Sequence, residues 1–492
     1  MKVDILIASL PVSALNYAPA APALLKACVE QAGFCAKTVD LSQSFFVEQS
    51  NKNYQLYDQQ SAALQPHRTT GIDDMSKVEE WLTASVDKIK KINPLSIGFS
   101  IFTYYMHRSA YLLSKKLKEE CPDIKIILGG FGSAQPATSL TGLVDIRGVD
   151  KISQFNQYMK KHNLCDYFIE GEGEESLVNY LLESKKETVN DNQKLYNVPI
   201  SDFTDYDLEN YAYTTDKMLP ITGSKGCVRK CTFCDIPSYF GRFKYRSGKD
   251  IAREIFTLKE KYNVSSFTFT DSLINGSLSA LEELLVELAE YNQHNPTDKV
   301  RWNGQYISRP KGQTPERIYE LMSQSGAEGL TIGLESGSND VLELMNKKVK
   351  IEDVDWEMEL FDKYRISTVM LFLIGFHKET EKNFLETVDT IFRYQKYVAS
   401  GTLLRMELGH PLAITAGTEL FDRADELGII MHETNPHLWE STSELSPDFK
   451  TRVRRRLTAQ LICDQLNIPT GMAKNNLGMI LSTVKDVYEQ SA

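Results

Sequence analysis

The stretch Gly223-Ser224-Lys225-Gly226-Cys227-Val228-Arg229-Lys230-Cys231-Thr232-Phe233-Cys234 follows a short apolar run, Leu219-Pro-Ile-Thr222, and spaces three thiols as Cys-x-x-x-Cys-x-x-Cys. Thiolates are soft ligands that suit iron–sulfur clusters and zinc. A structural zinc site needs a fourth donor and usually pairs two C-x-x-C knuckles. The chain has no second knuckle. Three ligands on a four-iron cluster leave one iron open to a small molecule, which a redox catalyst needs and a structural site avoids. The alternative is three unrelated core cysteines, since free Cys is often simply buried.

Outward from this loop, strands alternate with helices from Met218 to about Pro411. The strand-like runs are Leu219–Thr222, Ser266–Thr270, Arg301–Gln305, Gly329–Leu334, Thr368–Ile374 and Leu403–Leu408. Helical periodicity fills the gaps, notably Lys249–Tyr262, Ser277–Tyr291, Pro315–Ser325, Ile351–Tyr364 and Thr380–Tyr397. Such strand–helix units place functional groups at the strand carboxyl ends.

The cysteine spacing, with Phe233 just before the third thiol, resembles the signature of the radical S-adenosylmethionine (SAM) enzymes. The resemblance implies a partial (βα)6 TIM-type barrel with a 4Fe–4S cluster on Cys227, Cys231 and Cys234. It implies that SAM chelates the open iron and is reductively cleaved to a 5′-deoxyadenosyl radical. It also implies that Phe233 lies near the adenine and that Asp271 and Ser272 close the second strand toward the SAM amino group. Glu335 and Ser336, in Gly333-Leu-Glu-Ser-Gly-Ser338, match a family sequence near the SAM ribose and carboxylate. Gly375 belongs to Ile374-Gly-Phe-His-Lys-Glu379, where the family usually has Gly-Phe-Pro-Gly-Glu. For Asp271 and Glu335 the competing role is helix N-capping. His377 and Tyr306 are the candidate catalytic side chains, with helix capping the alternative for His377 and packing for Tyr306. Tyr104, Tyr105, Tyr239, Phe240 and Tyr245 are further candidates for shaping a substrate pocket. The basic run Arg242–Arg246 is a candidate anion holder or a solvated loop.

Residues 1–185 repeat strand–helix units and predict a doubly wound, Rossmann-like parallel sheet, so the whole chain is α/β. The strands are Val3–Ser9, Ala36–Leu41, Ser96–Phe102, Lys125–Leu128 and Tyr167–Ile169, with a polar, aromatic-studded insertion at Ser42–Gly71. This order resembles the cobalamin-binding domain preceding the barrel in one large radical SAM class. By that resemblance Ser100, Thr103, Gly129, Gly130 and Glu170 stand where cobalamin binds. No D-x-H-x-x-G occurs, and His107, the histidine nearest the third strand end, does not fit that motif. The alternative is a sheet that has lost cobalamin and only braces the barrel.

Residues 186–215 read as an acidic, aromatic linker, and 412–492 as a helical C-terminal region. Within that region Gly417–Gly428 reads as one amphipathic helix, and His432, His437 and Trp439 as a loop that lids the barrel mouth. Arg452-Val-Arg-Arg-Arg456 is the densest basic run and reads as a solvated helix face rather than a polyanion site. A net charge of −11 over 492 residues disfavours a broad nucleic-acid surface. The longest apolar runs are strand-sized, the N-terminus reads as a first strand rather than a signal peptide, and a thiolate triad needs reducing conditions. The expectation is therefore a cytoplasmic radical SAM enzyme that uses 4Fe–4S, SAM and cobalamin to methylate an unactivated carbon. Its partners would be a small-molecule or peptide substrate and an electron donor such as flavodoxin or ferredoxin, with no membrane and no nucleic acid. The alternatives are a cobalamin-free cyclase, oxidase or rearrangement enzyme, an RNA-modifying methylthiotransferase, and a cluster-bearing sensor.

Overall fold

Ile5–Ser9 (β1) is buried along its whole length, the mark of a parallel strand covered on both faces. The computed structural model describes residues 2–66, 75–140, 143, 154–184, 198–212, 216–409, 411–432 and 436–471. By internal contacts the chain divides into two units, Met1–Pro220 and Ile221–Ala492.

In the first unit β1 joins Ala36–Asp40 (β2), Ser96–Ser100 (β3), Lys125–Gly129 (β4) and Tyr167–Phe168 (β5). The pairings are parallel, in the order β2-β1-β3-β4-β5. The two-residue period of β1 sorts its side chains into two cores. Leu6 and Ala8 pack with Trp81, Val86, Leu113 and Leu117, whereas Ile5 and Ile7 pack with Leu24, Val29, Leu177 and Leu181. The described part of the 42–71 insertion, residues 42–66, is less peripheral than its polarity suggests. Phe45, Phe46 and Tyr57 enter the first core, with the Phe45 and Tyr57 rings edge-on at 5.6 Å.

The described part of the expected linker, 198–212, is packed rather than solvated. Phe203 is fully buried, Asp205 sits 2.7 Å from Lys26 Nζ, and the Tyr211 hydroxyl donates to Asp40 at 3.0 Å. These bonds assign the segment to the first unit. The remainder of the predicted linker, residues 186–197 and 213–215, lies outside the described residues.

Met218–Ile221 (β6) leads into the second unit. Ser224–Lys225 (β7) and Lys244–Tyr245 (β8) form a small antiparallel ribbon. Ser266–Phe269 (β9), Arg301–Asn303 (β10), Gln305–Tyr306 (β11), Leu330–Glu335 (β12), Thr368–Phe372 (β13) and Leu403–Glu407 (β14) follow. They group as β10-β9-β6 and β11-β12-β13-β14. The strand expected over Arg301–Gln305 is thus split at Gly304, where a Cβ would come within 2.8 Å of Ile274 and 3.0 Å of Phe269. The chain hands over from one sheet to the next at this residue.

The predicted helix over Gly417–Gly428 is two short turns, Glu419–Asp422 and Ala424–Leu427, followed by Ile429–Ile430 (β15) paired with Glu440–Ser441 (β16). Trp439 does not lid anything: it is fully buried in a cluster with Phe376 and Leu412. The basic run also corrects its expected role. On helix Phe449–Gln465, Arg452, Arg455 and Arg456 are 0%, 4% and 2% exposed, so the run is not a solvated face. Arg452 stacks 3.8 Å over Trp439 and donates to the carbonyls of Pro447, His437 and Trp439. Arg455 pairs with Glu379, and Arg456 donates to the Gly409 carbonyl. Burying three guanidiniums is tolerable only because each finds carbonyl or carboxylate acceptors. Among the described residues no helix is long and apolar enough to cross a membrane.

Candidate functional site

The cysteine loop begins where β6 ends, and its first residues are pinned from below. The Asp271 carboxylate, 4% exposed after β9, accepts from the Gly223 N–H at 2.8 Å and lies 2.6 Å from the Ser224 hydroxyl. Burial pushes the Asp271 carboxyl up to about 7. Gly226 adopts φ +81°, open to glycine at little cost, and turns the chain into the ligand segment. Arg246, in the basic run after the loop, is already engaged with the Thr222 carbonyl at 2.9 Å and with Glu254.

A second grip comes from residues 344–348, after β12. Thr232 N–H donates to the Met345 carbonyl at 3.1 Å, and its hydroxyl to the Leu344 carbonyl at 3.3 Å. Asn346 Nδ2 donates to the Lys230 carbonyl at 2.7 Å. Arg229 donates to the carbonyls of Lys348 and Ser308, both at 3.2 Å. A third grip is the Leu420 N–H, which donates to the Thr232 carbonyl at 3.0 Å. The loop backbone is therefore held on three sides, while Cys227, Cys231 and Cys234 remain partly exposed.

Cys231 and Cys234 act on one another electrostatically, and burial pushes the Cys234 thiol up to about 12. Burial raises Cys231 too, with Lys347 opposing that shift and Glu335 adding to it. Among the described residues no three His, Cys, Asp or Glu side chains stand ready to hold a single metal ion. The donor set fits a cluster that takes one thiolate per iron, and the pinned backbone with partly exposed cysteines suits that role.

Phe233 packs edge-on against Phe376 at 6.3 Å, with Lys347 Nζ 5.9 Å from its ring. Glu335 takes φ +71° at a register shift in β12 and pairs with Lys347 at 3.1 Å. It is not a helix cap, since Ser338 occupies that position for Asn339–Leu344. Ser336 is buried and lies 3.2 Å from the Thr387 hydroxyl. Ser272, beside Asp271, is half-buried. Gly375 takes φ +84° and leaves room for Arg452, whose side chain a Cβ would approach to 2.7 Å.

Both candidate catalytic residues turn inward. Tyr306 is 1% exposed, and its hydroxyl donates to Glu357 at 2.9 Å, as does that of Tyr319 at 2.7 Å. Glu357 and Tyr319 lie on helices Ile351–Lys363 and Glu316–Gln324, so Tyr306 faces the helical layer. The buried hydroxyl thus finds its acceptor on the helical layer. His377 is 3% exposed, with Nδ1 3.0 Å from Ser446 Oγ. Burial, with Lys378 nearby, lowers it to about 4, so the ring is neutral at pH 7. It does not cap the next helix, where Thr380 and Asn383 form the capping box. Lys347, Asn346 and the role of Arg229 were not foreseen, since a lysine and an asparagine in a short loop carry no spacing signal.

In the first unit, Ser100 ends β3 and Gly129 ends β4. Gly130 takes φ +93°, and a Cβ there would fall 2.5 Å from the Ile101 carbonyl oxygen. One at Gly132 would fall 2.7 Å from the Thr103 backbone. These glycines let two strand-end loops touch, a demand made by the protein's own backbone. His107 is fully buried, stacked on Phe155 at 3.9 Å, with its ring nitrogens on Ser139 and the Gly132 carbonyl. Burial lowers it to about 3. It braces the Gly-rich loop. Glu170 is exposed past β5. Tyr104 and Tyr105 stack at 4.4 Å.

A doubly wound 2-1-3-4-5 sheet forms the first unit, and the second unit opens with a strand that feeds three thiols. Residues 221–391 match the model of the Radical SAM superfamily. The chain is 31% identical over 187 residues to a bacteriochlorophyllide d C-12(1)-methyltransferase of Chlorobaculum tepidum, covering 37% of this chain and 39% of that protein. It is 27% identical over 246 residues to a tRNA-2-methylthio-N(6)-dimethylallyladenosine synthase of Thermoanaerobacter sp., covering 48% and 49%. The chain thus spans less than half the length of either curated relative. Its fold is similar to that of the radical SAM methyltransferase TsrM from Kitasatospora setae (TM-score 0.60, 16% identity, 89% of this chain and 81% of that one). It is also similar to that of the cobalamin-dependent radical SAM enzyme OxsB (TM-score 0.62, 14% identity, 98% and 71%).

Proposed function

We propose that the protein is a radical SAM methyltransferase that acts on an unactivated carbon with the help of cobalamin. The observation that carries the reading is the cysteine loop itself, three partly exposed thiols on a backbone pinned by Asp271, by Leu344–Lys348 and by Leu420. Cys227, Cys231 and Cys234 would hold the cluster. Bound there, the cluster supplies the electron that cleaves SAM, and cobalamin at the carboxyl ends of the first sheet carries the methyl group. Phe233, Glu335, Ser272, Ser336 and Gly375 lie on the loop or at the adjoining strand ends, where they would bound the SAM site. Asp271 contributes by fixing the loop's entry, because its carboxylate is engaged by Gly223 and Ser224. Ser100, Thr103, Gly129, Gly130 and Glu170 stand at or beyond the ends of β3, β4 and β5, where a doubly wound sheet takes its ligand. The similarity to the bacteriochlorophyllide methyltransferase supports methyl transfer. An RNA substrate is disfavoured, since three arginines of the densest basic run are interior.

The test is anaerobic reconstitution with iron, sulfide and cobalamin, then reduction by dithionite in the presence of SAM. Methyl transfer predicts S-adenosylhomocysteine together with 5′-deoxyadenosine, and bound cobalt in near-equal amount to the protein. Deoxyadenosine without the homocysteine product, and no cobalt, would leave a radical SAM enzyme of another reaction. A cluster-loaded, reduced protein that leaves SAM intact would point to a sensor.

A further inference from the structure

The segment Leu344–Lys348 brings a charge to the cysteine loop as well as hydrogen bonds. Lys347 Nζ lies 3.1 Å from Glu335 Oε1, and both side chains are only 12% exposed. The same ammonium stands 5.9 Å from the ring of Phe233, the neighbour of Cys234. Its position is built, not incidental. Asn346 and Lys348, on either side, both take φ +56°, and the Met345 carbonyl and Asn346 side chain bond to residues flanking Cys231. Gly333 leaves the space open: a Cβ there would fall 2.5 Å from Glu335 Oε1 and 3.1 Å from Lys347 Nζ. The field of Lys347 reaches Cys231 and Cys234, and that of Glu335 reaches Cys231 with the opposite sign.

We infer that Lys347 and Glu335 are opposed fixed charges that set the reduction potential of a cluster on Cys231 and Cys234. The inference rests on the cluster reading above. Reduction adds one electron, and hence one negative charge, to the cluster. A neighbouring cation in a poorly hydrated setting stabilises that charge and a neighbouring anion opposes it. The two residues therefore act as positioning residues of the electrostatic kind, each through its charge on the ligand shell.

The experiment compares wild type, Lys347→Met and Glu335→Gln, each reconstituted anaerobically with iron and sulfide. Each is titrated with dithionite while the reduced cluster is followed by electron paramagnetic resonance. Lys347→Met should lower the ratio of reduced to oxidised cluster at fixed poise by about tenfold, a shift of about 59 mV to more negative potential for a one-electron couple. Glu335→Gln should shift it the other way. Loosened packing alone does not produce shifts of opposite sign. Equal potentials in all three loaded proteins would overturn the inference and leave the cluster reading intact. A wild-type protein that takes up no cluster would instead remove the reading on which it rests. Should Lys347→Met fail to load, Lys347→Arg should load with the wild-type potential, and a Glu335→Gln potential equal to wild type would then overturn the inference.

Discussion

The Ser224 hydroxyl lies between two oxygens, 2.6 Å from Asp271 Oδ2 and 3.1 Å from the Leu273 carbonyl. One hydroxyl proton cannot serve both well. A protonated Asp271 resolves the conflict, because the carboxyl then donates to Ser224 and Ser224 donates onward to Leu273. Burial raising this carboxyl to about 7 agrees with that arrangement.

A pH dependence follows from this pair. The unfolded chain holds the Asp271 proton only below the ordinary 3.8, whereas the folded chain holds it up to about 7. The stability it contributes is fully present below pH 3.8 and is lost as the pH rises through 7. Asp271→Asn keeps an acceptor for Gly223 and a donor for Ser224 without titrating. Urea denaturation should show the variant gaining on wild type between pH 5 and pH 8. Parallel stability curves would refute the protonated pair.

Tyr306 is expected to matter for stability and not for chemistry. Tyr306→Phe removes one of two hydroxyls on a buried carboxylate and should cost about 1–3 kcal/mol. SAM cleavage by the reconstituted variant, assayed well below its melting temperature, should stay within about twofold of wild type. A loss of turnover with unchanged stability would return Tyr306 to the active site.

Arg455 and Glu379 form a buried pair at 3.0 Å, with side chains 5% and 1% exposed. Arg455→Met strands the carboxylate and should destabilise by about 3–5 kcal/mol. Adding Glu379→Gln should recover part of that loss, read as a coupling energy in a double-mutant cycle. Additive losses would show that the pair is not coupled.

Gly375 and Gly401 separate two costs. Both take left-handed backbones, φ +84° and +80°, but only at Gly375 does a Cβ meet a neighbour, Arg452. Alanine at 401 should cost only the backbone strain, about 1–2 kcal/mol. Alanine at 375 should cost about 1–3 kcal/mol more through overpacking. Thermal melts of the two variants decide it, and equal shifts would mean that Arg452 yields without cost.

The α/β alternation and the strand ends were legible because strands and helices leave local periods in a chain. Splitting of the third barrel strand at Gly304 was not, since it answers to Ile274 and Phe269, which are remote in sequence. His107, His377 and Tyr306 were visible as chemically capable residues, but capability does not show direction. Their rings point into protein, onto Ser139, Ser446 and Glu357.

By itself the sequence determined the thiol spacing, because three cysteines within eight residues need no distant partner to be recognised, and it determined the order of the strands and helices. Only the tertiary structure decided that the arginine-rich helix is interior, that residues 198–212 are part of the first unit, and that Lys347 stands between Glu335 and the ring of Phe233. Spacing is a property of the chain, whereas burial and charge proximity belong to contacts between segments far apart along it.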